Sequence, residues 1–133
     1  MQHDMFIGHV QARARLDSRG SAETATRATL ETLAERIPPQ LADDMAAQLP
    51  REIGEHLRRV TSAPDADHAV RFGPKEFVAR VGHRAHADEP KAAHLTRAVF
   101  QVLDEATTGG VMDKVRQSLP EDLRRLSQAG SEN

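Results

Sequence analysis

The sequence predicts an all-α protein made of two pseudo-symmetric halves, about four helices each, that arose by internal duplication. Three observations predict it. The apolar residues recur at the three- and four-residue spacing of helices. The dipeptide Leu-Pro stands at Leu49-Pro50 and again at Leu119-Pro120, each between two helical patterns. When the two stretches are laid over each other, polar residues pair as well as apolar ones.

Taken in order, Asp4 is the expected cap of a first helix whose Phe6, Val10 and Ala14 share a face. Asp17, Ser18 and Ser21 are alternative caps for a longer second helix, with Ala22, Thr26, Leu30, Leu33 and Ile37 along its apolar stripe. Pro38-Pro39 ends it, and Pro39 suits the first turn of a third helix, where the missing N–H needs no partner. That helix carries Leu41, Met45 and Leu49. Pro50 starts a fourth, with Ile53, Leu57 and Val60 inward.

The run "TSAPDADHAVRFG" interrupts the pattern and reads as a linker over residues 61–73. It divides an N-terminal helical repeat, 4–60, from a C-terminal one, 74–128. Pro74 opens the fifth helix, with Phe77, Val81 and Ala85 on one face. Pro90 or its predecessors start a long sixth, striped by Leu95, Val99, Val102, Leu103 and Ala106. "TTGG" is a loop. Val111, Met112, Val115 and Leu119 mark a seventh helix, Leu123 and Leu126 an eighth, and "AGSEN" a frayed tail.

In the repeat register Phe6, Val10 and Ala14 fall on Phe77, Val81 and Ala85. One residue is lost in the next loop, after which Thr26-Arg27-Ala28 falls on Thr96-Arg97-Ala98. Leu33 then meets Leu103, Glu35 meets Glu105, Asp43 meets Asp113, and Pro50 meets Pro120. The Leu-Pro step is a corner: proline pushes the residue before it out of helical geometry and sets the next helix going.

Composition narrows the function. Hydrophobic residues make up 38% and charged residues 29%, with no apolar run near the ~20 residues of a membrane span. The first fifteen residues lack the basic start and apolar core of a secretory signal. Cysteine is absent, which removes disulfides and thiolate chemistry and fits a cytoplasmic location. Eighteen basic residues are interspersed among twenty acidic ones and the only aromatics are four Phe. Neither a basic face nor stacking platforms for nucleic acid are expected.

Candidate chemistry is sparse. Arg27 and Arg97, with Asp43 and Asp113 on the following helices, are expected to fix interhelical angles, each arginine reaching within its own half to a carboxylate or to helix-end carbonyls. The functional alternative is two arginines facing one anionic ligand. His83 and His86 lie three apart on a helix, a spacing two zinc or nickel ligands use, and His94 or Asp88 would complete a set. No HExxH, GxSxG, P-loop or GxGxxG is present, and Glu31 with Glu35, or Glu52 with Glu55, reads as a solvated helix-surface pair. The expectation is a non-enzymatic interaction or regulatory module without a cofactor, contacting a protein partner or its own copies. The alternative is a small-ligand or metal binder using His83, His86 and His94.

The stretches "TRATLETLAERIPPQLADDMAAQLPREI", "RFGPKEFVARV" and "TRAVFQVLDEA", with the later "LPEDL", resemble the small bacterial domain-of-unknown-function family numbered 2267. The resemblance runs from about Phe6 to Leu126 and includes both Leu-Pro corners. It implies an all-helical cytoplasmic bacterial protein and carries no substrate or catalytic residue with it. The histidine cluster lies outside the pattern.

Overall fold

Among the described residues, each Pro- or Gly-containing break expected between helices is a place where a helix ends. A computed structural model describes residues 1–63, 71–119 and 125, and among these the chain forms helices and no strand. The helices are α1 (His3–Ala14), α2 (Arg19–Arg36), α3 (Pro39–Gln48), α4 (Arg51–Thr61), α5 (Pro74–Ala85), α6 (Glu89–Ala106) and α7 (Val111–Gln117). The expected eighth helix, with Pro120, Leu123 and Leu126, lies outside the described residues.

Local chemistry accounts for the ends. Of the three expected caps for α2, Ser18 takes the role, its side chain accepting from the Ser21 N–H at 3.0 Å. Asp88 does the same for α6 through the Lys91 N–H. Asp4 does not cap α1: the helix begins one residue before it, and Asp4 sits in the first turn, where its charge still suits the helix dipole. α1 and α5 both stop on a non-glycine residue in left-handed geometry, Arg15 (φ 55°) and His86 (φ 54°). Pro39 and Pro74 are the first residues of their helices, as expected. Pro50 lies just outside α4 in extended geometry, its carbonyl accepting from the Ile53 and Gly54 N–H groups. Leu49 and Leu119 are both buried, and each donates its N–H to a carbonyl three residues back.

The packing is interleaved. α2 lies against α1, α5 and α6, while α6 lies against α1, α5 and α2. The two long helices therefore share both short ones, and residues before and after the 64–70 stretch build one hydrophobic core. Phe6, Leu30, Leu33, Phe77, Val99 and Leu103 fill it, each fully buried. Phe77 stacks obliquely between Phe100 and Phe72, with centroids 6.3 and 6.2 Å away. Phe72 belongs to the stretch expected as linker, yet it is buried because Phe77 and Arg80 enclose it. α4 crosses α2 and α3 and touches α1, and α7 rests on α3. Gly54 permits the close approach of α4 to α3, since a Cβ there would stand 2.8 Å from the Ala46 carbonyl oxygen. Among the described residues no helix is long and apolar enough to cross a membrane.

Candidate functional site

The residues that carry charge into the structure are mostly occupied in holding helices together. On α5, Arg84 donates to Glu35 of α2 at 2.8 Å and lies 3.4 Å from Glu31 of the same helix. It also donates to the Thr32 hydroxyl at 2.7 Å. Arg80, one turn earlier, reaches Glu35 at 3.3 Å and lies over the Phe72 ring at 4.0 Å. Burial alone would push the Glu35 carboxyl upward, but hydrogen bonding and charge from Arg84, with Arg80 behind it, hold it below the ordinary value. The expectation that Glu31 and Glu35 are merely solvated does not survive: Glu31 is 16% exposed and Glu35 26%. Their pairing with α5 was not legible, because Arg84 lies 49 residues from Glu35.

A second set stands across the bundle, between α1 and α6. Arg13 pairs with Glu105 and donates to Gln101 at 3.3 Å, and His9 Nδ1 lies 3.0 Å from Glu105. In the repeat register Arg13 corresponds to Arg84, His9 to Arg80, Gln101 to Glu31 and Glu105 to Glu35. The first set uses two arginines and two carboxylates, and the second an arginine, a histidine, a glutamine and a carboxylate.

Beside the first set, α1, α2 and α4 enclose a groove of about 330 Å³. His3 and Ile7 come from α1, Glu23, Thr24 and Arg27 from α2, and Glu52, Ile53 and His56 from α4. Burial first, and then the charge of Arg59, pushes the His56 imidazole below its ordinary value, so it is neutral near pH 7. Arg59 Nη2 lies 2.6 Å from His56 Nδ1. Because arginine only donates, that ring nitrogen accepts and the proton sits on Nε2. His3, Glu23 and His56 had no sequence signal, and Glu52 read only as a solvated surface residue, since three separate helices bring the four together.

The sequence-derived candidates are scattered. Arg27 pairs with Glu31 at 3.4 Å and donates to the Arg84 carbonyl at 3.5 Å, a helix-end carbonyl on α5 rather than one in its own half. Arg97 makes no hydrogen bond or ion pair among the described residues. Asp43 accepts from Arg58 of α4 at 3.3 Å. Asp113 and Asp104 line a small cleft between α6 and α7, where Asp104 first, with Asp113 behind it, holds Arg116 firmly charged. His83 lies in a depression beside Arg80 and Arg84, whereas His86 ends α5 and lines a separate cleft with Ser18 and Lys91. His94 bonds the Ala14 carbonyl at the end of α1, at 3.0 Å. Asp88 is engaged as the cap of α6. Among the described residues no three His, Asp or Glu side chains converge as a metal would need.

The family model described as "Uncharacterized conserved protein (DUF2267)" matches residues 3–126. The chain belongs to the DUF2267 family. The match covers every described helix, including both interhelical charge sets and the groove. No curated protein matches the chain.

Proposed function

We propose that this DUF2267 protein is a non-enzymatic helical module of the bacterial cytoplasm that works by binding a partner protein. The observation that carries the reading is the use made of its charged side chains. Arg13 and Arg84 spend their guanidinium groups on Glu31, Glu35 and Glu105 between helices, and Arg80 divides its own between Glu35 of α2 and Glu76 of its own helix, which suits a rigid body that presents surfaces. Among the described residues the large apolar side chains left exposed are Met1 (37%) and Met5 (54%), at the start of α1. Methionine packs adaptably against varied surfaces, and the reading places the contact there.

The reading includes the duplication, with repeats at 4–60 and 74–128 flanking a linker over 61–73. Supporting it, α1 and α5 each have 12 residues, α2 and α6 each have 18, and each pair uses the same kind of cap or terminal geometry. Thr26 and Thr96 are both buried, and both donate to the carbonyl four residues back at 2.8 Å.

The test is capture of partners from host lysate on tagged protein, wild type beside Met5→Glu, with light scattering of each. A near-stoichiometric protein retained by wild type and lost by a folded Met5→Glu supports the reading. Wild-type protein recovered alone and monomeric overturns it.

A further inference from the structure

The groove between α1, α2 and α4 keeps polar groups that the interhelical network does not consume, and they are of opposite kinds. Glu52, in the first turn of α4, makes no hydrogen bond or ion pair with any described residue. Glu23 is held loosely, with His3 Nε2 at 3.8 Å and Arg19 Nε at 4.0 Å. Arg27 lies one turn from both Glu23 and Glu31 on α2, and it turns to Glu31. Its partners at 3.4 and 3.5 Å use two of its five N–H groups, and its side chain is 40% exposed. His56 adds a donor, because Arg59 occupies Nδ1 and leaves Nε2–H as the group it can offer. Beneath them Ile7 and Ile53, each 1% exposed, make an apolar floor.

We propose that this groove binds a small zwitterion, an amine and a carboxylate joined by a few bonds, the amine meeting Glu23 and Glu52 and the carboxylate meeting Arg27 and His56. The class follows from what each simpler ligand leaves unmatched. A plain anion is repelled by two carboxylates, and a plain cation leaves the Arg27 and His56 donors without an acceptor. The volume, about 330 Å³, stands at the small end of ligand sites, which span roughly 300–1,000 Å³. This inference goes beyond the interaction reading and does not depend on it.

The test uses the full chain, with melting and calorimetric titration against glycine, β-alanine, 4-aminobutyrate, L-lysine and L-glutamate. Butylamine and butyrate are the single-charge controls. At least one zwitterion is expected to raise the melting temperature by several degrees at millimolar concentration, with the controls giving little shift. Glu52→Gln, a change at an exposed position, is expected to weaken binding at least tenfold, while Arg51→Gln, off the groove, leaves it unchanged. The proposal is overturned if no zwitterion binds, if either control matches the zwitterions, or if Glu52→Gln binds as well as wild type.

Discussion

The Arg84 guanidinium on α5 meets the Glu35 carboxylate on α2 at 2.8 Å, joining the parts of the chain before and after the 64–70 stretch. Both side chains are about one-quarter exposed, so the pair is poorly screened, and removing one partner leaves the other underpaired in a partly dry place. Arg84→Met is expected to cost about 2 kcal/mol, in the range for losing a hydrogen bond to a charged group. The exposed pair of Arg51 and Glu55 on α4 serves as control, and Arg51→Met should leave stability nearly unchanged. Denaturant unfolding of both, with a double-mutant cycle on Arg84 and Glu35, checks the coupling. A cycle energy near zero would remove this pair from the account of what holds α5 on α2.

The left-handed ends of α1 and α5 are paid for by Arg15 and His86, since a side chain in this region costs roughly 1–2 kcal/mol. Arg15→Gly and His86→Gly should each stabilise the fold by about 1 kcal/mol, offset slightly by the freedom glycine gains when unfolded. For a domain of this size the melting temperature rises by about 4 °C for each. A fall in either variant would mean that the lost side chain mattered more than the geometry.

Thr29 is fully buried and its hydroxyl has no hydrogen-bond partner, whereas Thr26 and Thr32 on the same helix donate to carbonyls at 2.8 Å. Thr29→Val removes an unsatisfied group at nearly constant volume and should stabilise by about 1 kcal/mol. Thr26→Val, which deletes a satisfied hydroxyl, should show no gain. Chemical unfolding of the two variants side by side separates the cases.

Two titrating groups make stability fall with acid. His56 is held below its ordinary value of 6.5, so the unfolded chain takes up its proton first as pH drops, and stability declines from about that pH downward. Glu35 is held below 4.5, so its contribution is complete above that value and is lost as pH falls through the lower folded-state value. Unfolding free energies between pH 8 and pH 3 should therefore decline in two stages. His56→Gln should flatten the first stage and leave the second. A first stage that persists in His56→Gln would assign it to another histidine.

The order of the described helices, the proline and glycine breaks between them, a cap for α2 among Asp17, Ser18 and Ser21, and most of the buried stripes were legible in the amino-acid order. Each depends on interactions between residues at most about four apart, so periodicity and capping chemistry suffice to locate them. The family resemblance was legible for the same reason, in contiguous words such as the one ending at Leu49-Pro50. The pairing of Arg84 with Glu35 was not, because those residues are 49 apart and meet only after α5 settles on α2. Nor was the groove, whose Glu23, Glu52 and His56 come from α2 and α4. His83, His86 and His94 show the converse, since neighbours in sequence go to a surface depression, a helix end and the carbonyl of Ala14. Local order fixes which faces of these helices are apolar, and packing of those faces alone selects which polar side chains become neighbours.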